Sequence, residues 1–403
     1  MNTLPEALPA RGLRFWKTTA TWQRIRYPLA VYAASRALYL LLALTDAAVQ
    51  NANLGRVFRN WDGKWYALTA EHWYWYPHLS LHSTTLAKHY TTLGFLPLFP
   101  MLEWLVTNTI QLPLIYSGLT LSLLAGAAAT LLVTKMAEAW WGEAAARRAL
   151  LFWCFFPGTV VFSMVYTEGL LISLVAGCLL LLGRKQWVWA GVLAGIATAV
   201  SPVAVAAIPA CAVAAGLEIR NRGWADRAAR RSLWAPILSP LGLVAFGIFL
   251  WFLTGTPLAS FQAQHGAWQE QTTPLAIPDV FGSLIHQIFI SGVGHRHGPG
   301  GIDLNGILAL LGTAFLIYGF WRLWRMRRTI PIPVWVWTIF TALLALTSAK
   351  TPPNPRLLIC AFPLVLIVGS EHKGRAQKYL LVADIACLLV MSWFTYIGIW
   401  LRP

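Results

Sequence analysis

Three charged side chains occupy places where a charge is costly unless it is used. Asp62 lies in the stretch Asn60-Trp61-Asp62-Gly63-Lys64-Trp65-Tyr66, just after the first long apolar run. Glu168 is the single charge in the turn Tyr166-Thr167-Glu168-Gly169 between two apolar runs. Arg356 follows Pro352-Pro353-Asn354-Pro355 and opens another run. A carboxylate at a membrane margin is a candidate proton acceptor or cation partner. A planar guanidinium suits a carboxylate or a phosphate. Each residue also has a plainer use. Asp62 fits as an incidental acid in an interfacial aromatic belt, Glu168 as a turn residue kept in water, and Arg356 as a snorkelling arginine. The local sequence leaves both uses open.

Other groups join these candidates. Phe261-Gln262-Ala263-Gln264-His265-Gly266-Ala267-Trp268 is rich in amides and aromatic rings. In a helix Gln264 and Trp268 would share a face, with His265 beside them. Stacking plus amide hydrogen bonds suits a sugar, and so do Trp61 and Trp65; a helix lying on lipid would read the same way. Lys64, Arg59 and Lys350 are further cations of the same loops. His72, His78, His82, His89, His295 and His297 invite a metal reading, but no carboxylate-plus-histidine spacing completes a site. No cofactor is expected, and no metal. The five cysteines lie within apolar runs and read as packing residues.

The elements that must position these groups are membrane helices. Of 403 residues, 57% are hydrophobic and 11% charged, where soluble domains carry about 25% charged residues. The apolar runs are continuous rather than alternating, which argues for helices and against a β-barrel. Runs fall near 27–49, 113–134, 149–166, 168–183, 234–254, 304–323, 331–348, 356–370 and 379–400, and 187–217 reads as a hairpin of two short helices broken at Ser201-Pro202. The stretch 94–106, with two prolines, reads as an interfacial or re-entrant helix. That predicts about 11 transmembrane helices, arranged as one domain over 1–403.

Charge asymmetry orients the chain. With 1–26 as a cytoplasmic tail and the first run as an uncleaved anchor, 22 of the 31 Lys and Arg fall on the cytoplasmic side and eight outside, with Arg36 inside the first run. The formal charge of +16 therefore reads as topology and contact with anionic lipid, not nucleic acid. The large loops 50–112 and 255–303 face outward, the first carrying amphipathic helices, and so do Glu168 and Arg356. A functional site is expected on the extracytoplasmic face of a multi-pass cell-membrane protein.

Taken in order, the motifs resemble the eukaryotic GPI mannosyltransferase II (PIG-V) family and its bacterial relatives, within the GT-C glycosyltransferase superfamily. Trp61-Asp62-Gly63-Lys64-Trp65-Tyr66 is similar to that family's first outer-loop motif, and Phe95-Leu96-Pro97-Leu98-Phe99-Pro100 to its aromatic-proline stretch. Tyr166-Thr167-Glu168-Gly169, the segment ending at Ser201-Pro202, Gly255-Thr256-Pro257-Leu258-Ala259 with Gln264 and Trp268, and Pro355-Arg356 follow in the family's order. Ser201 stands where the family usually has Arg, Val203 and Ala204 replace Asn-Gly, Thr256 replaces Asp, and Leu357 replaces an aromatic residue.

The resemblance implies an inverting transferase, most simply a mannosyltransferase. It would take a sugar from a polyprenyl-phosphate donor and pass it to a lipid, glycan or protein acceptor. Asp62 would be the general base. Arg356 first, and Lys64 second, would meet the departing phosphate, and Glu168 would orient hydroxyl groups. The competing class is a lipid transporter or flippase, which would place ionisable groups near mid-membrane. Asp384 is the one acid well inside a run, with Asp46 near a helix end.

Overall fold

The computed structural model describes residues 18–75, 90–266, 268–289 and 303–397, so the loop 295–301, His78, His82 and His89 lie outside the described residues. Helix α1 (Thr18–Val49) is followed by α2 (Leu54–Phe58), α3 (Asp62–His72), α4 (Leu98–Ile110), α5 (Leu114–Trp141), α6 (Glu143–Phe155) and α7 (Glu168–Gly183). Next come α8 (Trp187–Thr198), α9 (Ala207–Arg222), α10 (Leu241–Thr254), α11 (Ala259–His265) and α12 (Ala276–Phe289). The chain ends with α13 (Leu304–Arg325), α14 (Ile332–Thr347), α15 (Pro355–Cys360), α16 (Phe362–Glu371) and α17 (Gly374–Ile397). Among the described residues there is no strand, only an isolated bridge between Thr272 and Ser348.

Among the described residues, six stretches are long and apolar enough to cross a membrane: Arg24–Val49, Leu114–Trp141, Pro202–Arg222, Arg227–Thr254, Leu304–Arg325 and Gly374–Tyr396. The pair Glu143–Phe155 and Pro157–Ser163, bent by 68°, adds a seventh if taken as one span. Helices α7, α8, α14 and α16 are apolar but shorter. The apolar runs of the sequence thus fall on helix, though not always as unbroken spans.

Proline chemistry accounts for the breaks. Run 149–166 stops at Phe156, which precedes Pro157 and takes the extended backbone that a following proline favours. Run 356–370 breaks at Ala361, where Pro363 cannot donate to the carbonyl four residues back. The hairpin 187–217 breaks at Ser201, whose hydroxyl accepts from the Val203 N–H at 3.4 Å. Helix α4 runs on to Ile110, past the 106 expected, and its 13 residues remain too few to span.

The bend after α6 leaves carbonyls without helical partners, and Arg36 collects them. Its guanidinium donates to the Thr159 carbonyl at 2.5 Å, the Thr159 hydroxyl at 2.9 Å and the Cys154 carbonyl at 3.0 Å, and stacks 4.2 Å from the Tyr39 ring centre. A break in a membrane helix is tolerated when a neighbour satisfies the freed backbone in this way. The core around it is aromatic, with Trp153, Trp337, Tyr39 and Tyr166 fully buried. Trp153 donates to Thr130 at 3.0 Å and Trp337 to the Cys360 carbonyl at 3.1 Å. Packing and such bonds hold helices together in lipid, where burial from water contributes little.

Candidate active site

The site is built where three helix N-termini meet. Asp62 is the first residue of α3 and Glu168 the first of α7, so both carboxylates sit at the positive end of a helix dipole. Arg356 opens α15, whose N-cap Asn354 accepts from the Leu357 N–H at 2.9 Å. Two close approaches bring these ends together. The Val165 N–H donates to the Phe58 carbonyl at 3.0 Å, and Gly63 leaves room for the Val165 carbonyl, which would lie 3.1 Å from an added Cβ. At Gly158 an added Cβ would collide with the Pro355 carbonyl. Gly158→Ala is therefore expected to destabilise the protein by about 1–3 kcal/mol, read as a lowered melting temperature in detergent. An unchanged melting temperature would mean that α15 is free to move away.

Arg356 bridges the two acids. Its Nη1 donates to Asp62 Oδ2 at 2.5 Å and its Nε to Glu168 Oε1 at 2.5 Å. The side chains are 19% exposed for Arg356, 30% for Asp62 and 5% for Glu168. The guanidinium carbon lies 4.7 Å from the centre of the Tyr166 ring, and the Tyr166 hydroxyl accepts from the Asp62 N–H at 3.2 Å. Burial works against the charge on Arg356, but Glu168 and then Asp62 outweigh it and hold the guanidinium well above its ordinary range. Burial first, and the Asp62 carboxylate second, push the Tyr166 hydroxyl well above the usual phenol range, so it stays protonated. Two oxygens are left over. Asp62 Oδ1 has no protein partner among the described residues, and Glu168 Oε2 is buried without one.

An aromatic wall stands beside this cluster. Trp65, one turn after Asp62, stacks on Phe95 at 6.0 Å and meets Trp268 edge-on at 5.0 Å. Tyr90 lies 4.7 Å from Trp268. Helix α11 ends at His265, so Gln264 and Trp268 do not share a helix face. They converge instead over Gly94, with Gln264 Nε2 donating to its carbonyl at 2.8 Å and the Trp268 indole close by. His265 is exposed and stacks on Phe261, making no contact with the acids. Lys350 donates to the Trp268 carbonyl at 2.5 Å and so braces the wall. Lys64 points away from the acids and, with Trp61, lines a separate hollow.

Sequence reading passed over three contributors. Tyr166 sits in the same turn as Glu168 and was visible there only as part of a motif. Ser122 fixes that turn, donating to the Tyr166 carbonyl at 2.9 Å and accepting from its N–H at 3.1 Å. Glu103, the sole acid of α4, is fully buried beside Gly118, and neither carboxyl oxygen has a hydrogen-bond partner among the described residues. Burial, with Glu71 a smaller contributor, pushes its carboxyl well above the usual carboxylate range. An acid raised in this way stabilises the fold at pH values below its unfolded pKa and loses that contribution as pH rises through the folded value. Glu103→Gln is expected to raise the melting temperature at pH 7.5 and to bring no gain at pH 4. Equal effects at both values would show that the carboxyl is not the cost.

No family model matches the sequence, and no curated protein matches it. Solved structures do share the fold. The crystal structure of ArnT from Cupriavidus metallidurans bound to undecaprenyl phosphate matches with a TM-score of 0.51 at 15% identity, over 86% of this chain and 62% of that one. The oligosaccharyltransferase of Archaeoglobus fulgidus in the apo form matches with a TM-score of 0.54 at 14% identity, over 95% of this chain and 57% of that one. The chain thus spans about three fifths of the length of these structures. The architecture, all-helical among the described residues and with six or more membrane-length apolar helices there, is similar to that of these two structures.

Proposed function

We propose that this chain is an inverting glycosyltransferase of the cell membrane. It moves a sugar, mannose on the resemblance to the PIG-V family, from a polyprenyl-phosphate donor to an acceptor hydroxyl on the extracytoplasmic side. The observation that carries the reading is the meeting of Asp62, Glu168 and Arg356, from three distant parts of the chain, on a fold similar to GT-C enzymes. That one of the similar structures holds undecaprenyl phosphate supports a lipid-linked donor.

The chemistry asks for one base. The acceptor oxygen attacks the anomeric carbon, and its proton passes to the unpartnered Asp62 Oδ1. The bond from the anomeric carbon to the phosphate oxygen breaks, and polyprenyl phosphate leaves with the electron pair. A single displacement inverts the configuration, and phosphate is a good enough leaving group to need no strong acid. Arg356 fixes the other Asp62 oxygen, so the base is held in one orientation. Trp65 and Trp268 offer faces for the sugar, and Glu168 Oε2 offers an acceptor for a hydroxyl. No step calls for a metal or a cofactor.

The test is to incubate the purified full chain in nanodiscs with membrane acceptors and labelled polyprenyl-phosphate sugars. Transfer or hydrolysis of the labelled sugar, with release of polyprenyl phosphate, is expected. A lipid transporter, the competing reading, would carry the intact donor across vesicles and cleave nothing. Absence of both transfer and hydrolysis with every sugar tried would overturn the enzyme reading.

A further inference from the structure

Two acids of the membrane helices take no part in the chemistry proposed above, and both lie along the seam between α1 and α17. Asp46 is fully buried on α1, where Tyr39, Ala43 and Ala47 share its face. Asp384 begins the matching stripe of α17, which continues through Leu388, Ser392, Thr395 and Tyr396, all buried. The two helices pack together. Asp384 lies within electrostatic reach of Tyr39, and Tyr396 within reach of Asp46. The α17 face between those ends carries Ser392 and Thr395 and is therefore turned toward α1. Asp46 stands level with its last turns.

The polar atoms of this seam are left over. Among the described residues, Asp46 Oδ1, Ser392 Oγ, Thr395 Oγ1 and Tyr396 Oη are buried without a hydrogen-bond partner. All four residues are 0% exposed. A serine or threonine inside a membrane helix can return its proton to a carbonyl of the preceding turn. Thr130 does so to Gly126 at 2.8 Å, Thr338 to Val334 at 2.7 Å and Ser370 to Ile367 at 2.9 Å. Ser392 and Thr395 do not, so their oxygens are not spent on their own helix. Asp46 keeps one side-chain partner, Gln50, whose Nε2 donates to Oδ2 at 2.6 Å, and it makes no ion pair among the described residues.

A buried carboxylate beside uncommitted hydroxyl oxygens is a donor set for a hard cation. The single carboxylate sets the charge of that cation. A monovalent ion neutralises it, whereas a divalent ion would leave a positive charge buried. Water alone could satisfy the hydroxyls but would leave the carboxylate uncompensated. We propose that Asp46, Ser392 and Thr395 hold a monovalent alkali cation between α1 and α17. Sodium and potassium share this chemistry, and the experiment separates them. The site bears on the turn before Asp62. Asn60 Nδ2 donates to the Tyr396 carbonyl at 2.5 Å and the Trp61 indole to the Thr395 carbonyl at 3.3 Å. Trp61 has φ 60°, a conformation that a side chain adopts only when its surroundings enforce it. An ion that ties the end of α17 to α1 fixes the carbonyls that anchor this residue.

The full chain in phosphatidylcholine nanodiscs is melted in sodium, potassium or choline chloride at equal ionic strength. Sodium or potassium should raise the melting temperature above that in choline, and the rise should saturate with concentration. Asp46→Asn removes the one charged ligand and should weaken the apparent affinity at least about tenfold; Ser392→Ala removes one neutral oxygen and should weaken it about threefold. Asp384→Asn, two turns away on α17, should respond as the wild type does. A second measurement covers an Asp46 variant that does not fold: in the wild type, amides 60–62 and 392–396 should exchange hydrogen more slowly in the alkali salt than in choline. Equal melting and exchange in all three salts would overturn the proposal. So would an alkali response of wild-type size in Asp46→Asn, or a loss in Asp384→Asn as large as the Asp46 variant's. Neither measurement needs turnover, so the proposal stands or falls apart from the transferase reading.

Discussion

Asp62→Asn is expected to lower sugar transfer by roughly 10²–10⁴ while leaving the protein folded. Asparagine keeps the side-chain shape and can still present its carbonyl oxygen to Arg356 Nη1, now 2.5 Å from Oδ2. It cannot accept a proton at the position of Oδ1. The loss should therefore appear in kcat, with the KM for donor little changed, because the proposed role of Asp62 is to take the acceptor's proton and not to bind the donor. The measurement is release of polyprenyl phosphate by the purified variant, with its melting temperature recorded alongside. Wild-type turnover in a folded Asp62→Asn protein would remove Asp62 from the chemistry. A collapse in melting temperature equal to that of an Arg356 variant would recast it as a structural acid.

Arg356→Ala should have the largest effect on stability. The guanidinium separates and neutralises two carboxylates, and Glu168 is only 5% exposed. Removing one partner of a buried ion pair leaves charge uncompensated and typically costs about 3–5 kcal/mol. The variant should melt well below the wild type and, per folded molecule, should turn over slowly because Asp62 loses its orientation. A second substitution distinguishes the cause. Glu168→Gln added to Arg356→Ala removes the stranded charge and should recover part of the lost stability, giving a double-mutant cycle with clear coupling. Activity should not return with it. Additive effects would show that the three residues lie together without acting as a unit.

Much of this was legible in the chain because lone charges in apolar surroundings are conspicuous. Asp62, Glu168 and Arg356 stand out for that reason alone. Glu103 met the same criterion and was missed, since α4 reads as one more apolar stretch around prolines. Arg36 was visible only as a cation left inside a run. Its use depends on the bend at Phe156, which Pro157 dictates locally but which acquires orphan carbonyls only in three dimensions. The pairing of Gln264 with Trp268 was foreseen through a helix that stops at His265, and the two meet through Gly94 instead. The partners of Arg356 were not legible: the sequence shows a single arginine after a proline, and its two carboxylate partners lie far away in the chain.

By itself the sequence determined the membrane-helical class, the positions of the breaks and the residue types able to do chemistry, because hydropathy, proline geometry and isolated charge act over a few neighbouring residues. Only the tertiary structure decided which of those residues meet. Arg356 reaches across 294 positions to Asp62 and 188 to Glu168. That meeting depends on glycines that let backbones touch, on a hydroxyl that pins the Tyr166 turn, and on Trp61, held at φ 60° just before Asp62. Long-range packing sets those distances, and no local pattern encodes them.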